Sequence, residues 1–196
     1  MALVKARKRT GRLVILSAPS GSGKTTVLGR LLKRDLHCIR SISATTRPPR
    51  RGERDGREYR FMNRERFRRM RVEGGFLEHA GILGHWYGTP RAPIERAIRA
   101  GKDVLLGIDV QGARTLRRGR LPVTTIFLLP PSLEVLSRRL RRRGTETPAQ
   151  IRARLRLARR EMREVKRYDY AVVNDRLEEA VRFVQAILRA ERCRVK

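Results

Sequence analysis

The sequence predicts an α/β fold with a mostly parallel sheet, because short apolar segments alternate with amphipathic segments along most of the chain. The first apolar run, at 12–17, ends in a Gly/Ser turn, and apolar residues then recur at helical spacing over 27–32. Alternation of this kind indicates a parallel sheet with helices on both faces. Further strand-then-helix pairs are predicted at 103–108 with 111–118, at 123–129 with 132–143, and at 170–173 with 177–190.

The chain of 196 residues is expected to form one domain spanning 1–196. Two segments interrupt the alternation. Residues 41–89 are rich in Gly, Arg and Pro and hold most of the aromatic residues, so we predict an inserted substrate-binding lobe there. Residues 141–156 begin with basic residues, Gly144 and Pro148, and are predicted to form a mobile lid. The remaining divisions are a basic tail at 1–10 and core segments at 11–40, 90–140 and 157–196.

The charge balance is strongly positive: 48 Lys and Arg residues against 19 Asp and Glu residues give a net charge of +29. Such a charge favours anionic partners, among them phosphorylated small molecules and nucleic acids. Arginine runs on solvated helix faces can also reflect a general compositional preference, so the charge indicates a class of partner and not an activity. Because no RRM, KH or zinc-finger signature is present, nucleic acid is expected to make at most a weak, non-specific contact.

The cysteine and histidine residues exclude two common kinds of site. Cys38 and Cys193 have neither the number nor the spacing of a disulfide framework or a zinc site, which favours reduced thiols in a cytoplasmic protein. His37, His79 and His85 lack the HExxH spacing of a metallohydrolase. No apolar stretch approaches the roughly 18 residues that cross a bilayer, so no membrane contact is expected. The oligomeric state is left open.

Residues 18–25 read APSGSGKT and match the phosphate-loop pattern G-x-x-x-x-G-K-[ST], except that Ala18 replaces the first glycine. A predicted strand precedes this loop and a predicted helix follows it, so backbone N–H groups and the helix N-terminus can surround phosphate groups. Lys24 would reach the transferred phosphate, and the Thr25 hydroxyl would bind Mg²⁺, the predicted cofactor. The predicted ATP-binding residues of this segment are Ala18, Pro19, Ser20, Gly21, Ser22, Gly23, Lys24, Thr25 and Thr26.

Six ordered motifs indicate what accepts the phosphate. They are SAPSG at 17–21, TTRPPR at 45–50, WYGT at 86–89, IDVQG at 108–112, RGTE at 143–146 and VVND at 172–175. In this order and spacing the chain resembles the guanylate kinase family over roughly 11–190, and the Ala-Pro-Ser start of that family's loop accounts for Ala18. The resemblance implies a P-loop nucleoside monophosphate kinase fold and Mg²⁺-dependent transfer of the γ-phosphate of ATP to GMP, with dGMP left open.

The resemblance also implies site residues, and their chemistry agrees, since arginine forks fit phosphate oxygens and a carboxylate can accept from the guanine N1–H and N2–H₂ groups. The GMP-binding residues implied are Ser43, Arg47, Arg50, Tyr59, Glu78, Tyr87, Gly88 and Thr89, of which Ser43, Glu78 and Thr89 read the base. Arg139 and Asn174 are implied in ATP binding. The implied catalytic residues are Lys24, Arg50 and the lid arginines Arg143 and Arg154.

The chain departs from the family at one position of the site. The family often carries an acidic residue two positions before Asp109, whereas this chain has Gly107, which could make room for a water. Asp109 itself, at the end of a predicted strand, is predicted to orient Mg²⁺ through water. The alternatives are a nucleoside monophosphate kinase with another base preference and a non-catalytic binding module. A kinase is favoured over such a module by the presence of Lys24, Thr25, Arg50 and Glu78.

Overall fold

A computed structural model describes residues 10–50, 52–82, 84–119, 122–142 and 147–195. Within these ranges the strands are β1 Leu13–Ser17, β2 Cys38–Arg40, β3 Ala44–Thr45, β4 Arg60–Phe61, β5 Phe76–Ile82, β6 His85–Pro90, β7 Asp103–Gly107, β8 Val123–Leu129 and β9 Tyr170–Val173. The helices are α1 Lys24–Arg34, α2 Arg64–Val72, α3 Arg91–Arg99, α4 Val110–Arg117, α5 Leu133–Arg142, α6 Pro148–Arg163 and α7 Leu177–Cys193, and a 3-10 helix spans Glu164–Arg167. Over the described ranges, no helix combines the length and apolar character needed to cross a membrane.

The main sheet has five strands in the order β2-β7-β1-β8-β9, and every pairing is parallel. The central strand β1 is buried along its whole length, with Leu13 paired to Val104 on one side and to Val123 on the other. A strand covered on both faces needs apolar residues at nearly every position, which explains the uninterrupted apolar run in the sequence. The predicted α/β fold with a mostly parallel sheet is therefore confirmed.

Two helical layers cover this sheet. On one face, Val14 and Leu16 pack with residues of α1 and α7, including Leu31 and Val184. On the other face, Leu13 and Ile15 pack with residues of α3 and α4. The alternation follows from the two-residue period of a strand, which sends successive side chains to opposite faces.

A second, smaller sheet lies within the segment predicted as an inserted lobe. Its strands are ordered β4-β3-β6-β5, and it mixes one parallel pairing with two antiparallel pairings. Its small core stacks Phe67 of α2 on Phe76 at 4.5 Å between ring centroids, with Trp86 at 6.2 Å from Phe67. A Cβ on Gly88 would lie 2.8 Å from the Phe76 ring, so packing requires glycine at this position.

The segment predicted as a lid is largely helical where the structure describes it. Helix α5 ends at Arg142, and α6 begins at Pro148 behind a capping box formed by Thr147 and Gln150. Four residues between the two helices, 143–146, lie outside the described residues, and so do 1–9 of the predicted basic tail. Residues 148–156 of the predicted lid are thus helical, because Pro at the first helical position favours helix initiation.

Candidate active site

The phosphate loop joins the end of β1 to the start of α1, at the carboxyl edge of the sheet and at its central strand. Open parallel sheets bind ligands at this edge, where successive connections leave in opposite directions. Gly21 and Gly23 have φ of 95° and 89°, in the left-handed region that favours glycine. Gly23 precedes the helix without a side-chain cap, so the first N–H groups of α1 are left for a ligand.

Asn174, which follows β9, stabilises this loop by a side-chain hydrogen bond. Its side-chain amide donates to the carbonyl oxygen of Ser22 at 2.7 Å, and the residue is 5% exposed. A Cβ on Gly23 would lie 2.4 Å from the same amide nitrogen, so glycine is required there for space as well as for its φ. The Asn174 carbonyl in turn accepts from the Arg139 guanidinium at 3.0 Å. Asn174 thus supports the loop directly, and Arg139 supports it through Asn174.

A cleft of about 300 Å³ opens beside the loop. Three of its lining residues, Arg142, Asp175 and Leu177, were not predicted from the sequence. Of these three, only Asp175 has a sequence feature that could have predicted it, because it directly follows Asn174 in the VVND motif. Arg142 lies in a run of arginines, and nothing in the sequence distinguishes it from its neighbours. The cleft is lined by Gly21, Gly23, Thr26, Arg139, Arg142, Asn174, Asp175 and Leu177.

Arg154 of α6 reaches the phosphate loop from the predicted lid. Its guanidinium donates to the Ser20 hydroxyl at 2.7 Å. This contact places a cation of α6 directly beside the loop, as predicted for a residue that closes over phosphate groups. The other predicted lid cation, Arg143, lies outside the described residues.

Lys24 lies at the first position of α1 and reaches across to the end of the adjacent strand β7. Its ammonium donates to the Ile108 carbonyl at 2.8 Å. Burial lowers the pKa of Lys24, while the negative charges of Asp109 and Glu161 oppose that shift. The side chain therefore sits where the phosphate loop and the end of β7 meet.

Asp109 and Thr25 are the two residues predicted to serve a magnesium ion. Asp109 caps α4, because one carboxylate oxygen accepts from the Gly112 N–H at 2.9 Å, and the residue remains exposed. Thr25 is exposed in the first turn of α1. A hydroxyl and a carboxylate are oxygen donors of the kind that Mg²⁺ prefers. Among the described residues, no group of three or more His, Cys, Asp or Glu side chains is arranged to hold a metal ion.

Glu161 is an acidic residue of this region that the sequence analysis missed. It lies on α6, and its pKa is raised by burial and by the nearby charge of Asp109, while Lys24 opposes the shift. Nothing in the local sequence distinguishes it, since its proximity to Lys24 arises only when α6 folds back over the sheet. The one sequence feature that could have drawn attention to Glu161 is that it is an acidic residue in a helix rich in arginine.

Gly107, at the end of β7, is in close contact with α1. A Cβ built on this residue would lie 2.6 Å from Cδ1 of Leu28. Leu28 belongs to the main core and is 8% exposed. The glycine thus makes room for Leu28, while room for a water at this position stays a prediction.

Arg47 is held by several contacts within the inserted lobe at 41–89. Its guanidinium lies 5.6 Å from the Tyr59 ring centroid and forms an ion pair with Glu53 at 2.8 Å. Tyr59 packs edge-on against Tyr87, with ring centroids 6.0 Å apart. Arg50 is exposed, and its backbone N–H is bound by Glu53. Three predicted phosphate-binding residues therefore form one contact group, with Arg50 tied to it through the backbone.

Glu78 lies on β5 opposite Thr89 of β6, and the Thr89 hydroxyl donates to its carboxylate at 2.5 Å. Burial raises the pKa of Glu78, and the charge of Asp109 raises it further. Ser43 is partly buried, and its carbonyl accepts from the Arg60 N–H at 2.8 Å. Glu78 is thus a carboxylate in a confined position, with Asp109 close enough to act on its charge.

The comparisons with known proteins agree with this geometry. The guanylate kinase family model matches residues 10–191. A guanylate kinase of Thermus thermophilus is 52% identical over 184 residues, covering 94% of this chain and 82% of the relative. That of Sphingopyxis alaskensis is 50% identical over 185 residues, covering 94% and 84%. The crystal structure of guanylate kinase from Anaplasma phagocytophilum superposes with a TM-score of 0.76 at 37% identity, covering 96% of this chain and 89% of that one. With a phosphate loop, an inserted lobe and relatives of this similarity along nearly its whole length, the chain belongs to the guanylate kinase family.

Proposed function

We propose that this chain transfers the γ-phosphate of ATP to GMP and yields ADP and GDP. The observation that carries the proposal is the connection after β7, which contacts Lys24 of the phosphate loop and acts on the charge of Glu78 in the inserted lobe. The Ile108 carbonyl holds the Lys24 ammonium at 2.8 Å. The next residue, Asp109, acts on the charges of both Lys24 and Glu78. A phosphate at Lys24 and a base at Glu78 would therefore both lie near Asp109.

The donor side binds ATP. The N–H groups of the loop and the N-terminus of α1 surround the β- and γ-phosphates, which they favour because the helix dipole is positive there. Lys24 approaches the γ-phosphate, and the nucleoside extends along the cleft beside Arg139 and Asn174. Support comes from the contact of Arg154 with Ser20, which brings a second cation to the same phosphates.

Magnesium completes the donor side, and Thr25 and Asp109 are the residues that would hold it. When bound, Mg²⁺ neutralises phosphate charge and orients the oxygens of the transferred group. The Thr25 hydroxyl lies at the loop, and the exposed Asp109 carboxylate acts through water. Thr25 would thus hold the ion directly and Asp109 through water, and few protein ligands are usual for this ion.

The acceptor side binds GMP between the two sheets. Arg47, Arg50, Tyr59 and Tyr87 hold its phosphate. The guanine base lies against Glu78, whose carboxylate accepts from N1–H and N2–H₂, while Ser43 and Thr89 contact the base beside it. The Thr89 bond at 2.5 Å supports this assignment, because it fixes the orientation of the carboxylate that reads the base. Gly88 keeps this strand close to the aromatic core of the lobe.

In the transfer step, a phosphate oxygen of GMP attacks the γ-phosphorus, the bond from that phosphorus to the β–γ bridging oxygen breaks, and ADP leaves with the electron pair. Negative charge spreads over the equatorial oxygens in the transition state, so the enzyme contributes cations and alignment. Lys24, Arg50 and Arg154 supply the cations, and Arg143 is assigned the same role from the sequence. Closure of 41–89 and 141–156 over the substrates excludes water, which would otherwise accept the phosphate.

We further infer one domain over 1–196 and a cytoplasmic location, the compartment that two free cysteines favour. A partner other than the two nucleotides is not required for this reaction. A non-specific contact with nucleic acid would weaken steeply with salt.

A coupled assay of ADP release tests the proposal. The enzyme is assayed with ATP and each of GMP, dGMP, AMP, CMP, UMP and dTMP, with and without Mg²⁺. The proposal expects ADP with GMP in the presence of Mg²⁺ and little with AMP or the pyrimidine nucleotides. Preference for another base would replace the GMP assignment, and no ADP with any acceptor would indicate a binding module.

A further inference from the structure

Glu53 lies in the connection between β3 and β4 and contacts two arginines at once. Both of its carboxylate oxygens are 2.8 Å from the same terminal nitrogen of Arg47. One of these oxygens also accepts from the backbone N–H of Arg50 at 2.8 Å. The backbone N–H of Glu53 donates to the Arg50 carbonyl at 3.0 Å, which closes the turn.

The pair of Glu53 and Arg47 is packed on several sides, unlike an ordinary surface ion pair. The side chains are 18% and 10% exposed, respectively. The Arg47 guanidinium lies 5.6 Å from the Tyr59 ring centroid and 5.8 Å from that of Phe61. It also donates to the Pro48 carbonyl at 2.6 Å. One orientation of the guanidinium is therefore selected by a carboxylate, two rings and a carbonyl.

Glu53 is held in its charged form. Its hydrogen bond with the Arg50 N–H lowers the pKa of the carboxyl, and Arg47 lowers it further against the opposing effect of burial. An ionised acceptor makes stronger hydrogen bonds than a neutral one. The hydrogen bonds from Arg47 and Arg50 to Glu53 thus depend on the charge of the carboxylate and not only on its shape.

The interaction with Glu53 leaves Arg47 with N–H donors that can bind a ligand. A guanidinium has five N–H donors. Two belong to the nitrogen that faces Glu53, and one from the other terminal nitrogen serves the Pro48 carbonyl. The remaining donors are engaged by neither of these groups, and Tyr87 approaches Arg47 closely enough to act on its pKa. Glu53 therefore orients the Arg47 guanidinium without engaging all of its N–H donors.

We propose that Glu53 is a positioning residue for the acceptor phosphate: its carboxylate fixes the guanidinium of Arg47 and the backbone of Arg50 in the arrangement that receives the phosphate of the nucleoside monophosphate. The inference rests on the proposed function, because it takes Arg47 and Arg50 as the groups that bind this phosphate. Glu53 acts through these arginines and touches no substrate itself.

The same connection offers a matched control in Glu58. Its carboxylate accepts from the Arg54 N–H at 2.8 Å and pairs with the Arg57 guanidinium at 3.3 Å. It is thus an acid with one backbone bond and one arginine partner, as Glu53 is, but its contacts are with Arg54 and Arg57 and not with Arg47. Changes caused by a general loss of loop order should appear in both variants, and changes specific to the phosphate site in only one.

The experiment compares Glu53→Gln and Glu58→Gln in the full chain by steady-state kinetics, with GMP varied at saturating ATP and ATP varied at saturating GMP. Loss of charge-assisted hydrogen bonds predicts that Glu53→Gln raises the KM for GMP about ten- to a hundredfold. The KM for ATP should change less than about twofold, and kcat less than the KM for GMP. Glu58→Gln should leave all three constants within about twofold. Equal effects in both variants, or an unchanged KM for GMP in Glu53→Gln, would overturn the inference.

A second set of variants separates the inference from the function on which it rests. If Glu53 acts through Arg47, the double variant R47A/E53Q should be little worse for GMP than Arg47→Ala alone. Full additivity would overturn the positioning of Arg47 by Glu53. If Arg47→Ala itself leaves the KM for GMP unchanged, the assignment of Arg47 to the acceptor phosphate fails instead. Glu53→Asp, which keeps the charge, should recover part of the lost affinity even if Glu53→Gln folds poorly.

Discussion

Leu28 occupies the space that any side chain at position 107 would need. Its Cδ1 lies 2.6 Å from an ideal Cβ on Gly107, a separation that real Cβ atoms essentially never show. The same Cβ would lie 3.8 Å from Cδ of Lys24, so this contact joins the core of the protein to its candidate active site. Where the family often has an acidic residue, this chain therefore has a glycine against which Leu28 of α1 packs.

Stability measurements on Gly107→Ala test this contact. The substitution should lower the free energy of unfolding by about 1–3 kcal/mol, because the added methyl group forces Leu28 out of place. Leu28→Ala alone should cost about 2–5 kcal/mol through the cavity it leaves. Because the second change removes the clash, the double variant should lose less than the sum, as urea denaturation can establish.

Gly29 provides the control for that experiment. It lies in the same helix, and a Cβ there would meet nothing within 4 Å. Gly29→Ala should therefore raise the free energy of unfolding by up to about 1 kcal/mol, through helix propensity alone. Strict additivity of Gly107→Ala and Leu28→Ala would contradict the packing explanation.

Glu78→Gln should separate activity from stability. Because the pKa of Glu78 is raised in the folded protein, the native state binds more protons than the unfolded state between the ordinary carboxyl value of 4.5 and the raised value. The free energy of unfolding contributed by this group therefore falls as the pH rises through that window. The Gln variant lacks the charge, and its side-chain carbonyl can still accept from Thr89.

Scanning calorimetry between about pH 4 and pH 8 checks this expectation. Glu78→Gln should melt above the parent protein at neutral pH, and the difference should shrink as the pH falls below the window. Its rate with GMP should decline at the same time. A variant that is less stable than the parent at neutral pH would contradict the account of Glu78 as a carboxylate whose charge is disfavoured by burial.

Asn174→Ala should weaken the donor side selectively. The substitution removes the 2.7 Å bond to the Ser22 carbonyl, and the loss of a buried partner should cost about 1–3 kcal/mol of stability. The KM for ATP should rise several-fold while the KM for GMP changes little, because Asn174 supports the phosphate loop and not the acceptor lobe. Initial-rate kinetics with each nucleotide varied would measure both KM values. An equal rise in both would argue against a specific support of the phosphate loop by Asn174.

The two thiols should differ sharply in reactivity. Cys193 is exposed, whereas Cys38 is buried and its pKa is raised to about 12, first by burial and then by Asp35. Since the thiolate is the reactive form, an aromatic disulfide reagent at about pH 8 should modify Cys193 quickly and Cys38 only on unfolding. In Cys193→Ser the fast phase should disappear. A fast phase of two thiols in the native parent would be inconsistent with the packing of β2.

The sequence predicted the strands of the main sheet well where apolar residues follow one another along the chain. The strands β1, β7, β8 and β9 were found, because apolar residues in these strands form continuous runs. Strand β2 was missed: it has three residues, of which only Cys38 is buried. Strand β3 has two residues, too few for any period to be visible, and its place is fixed only by pairing with its neighbours β4 and β6.

The site was predictable to the extent that its residues sit in local motifs. Lys24 and its loop follow from glycine spacing between a strand and a helix, and Glu78 and Arg47 from the family resemblance. Glu161 and Glu53 were not found, since their significance comes from contacts across helices or turns that spacing along the chain does not encode. The roles given to the substrate-contacting residues stay predictions until variants are measured.

The rate of GDP formation by Lys24→Ala tests the central claim most directly. Removing a cation from the transferred phosphate should slow the reaction by more than about a hundredfold. Affinity for GMP, measured by calorimetry without ATP, should stay within about twofold of the parent, because Lys24 lies on the donor side. A variant that forms GDP at the parental rate from ATP and GMP would contradict the assignment of this loop to phosphate transfer.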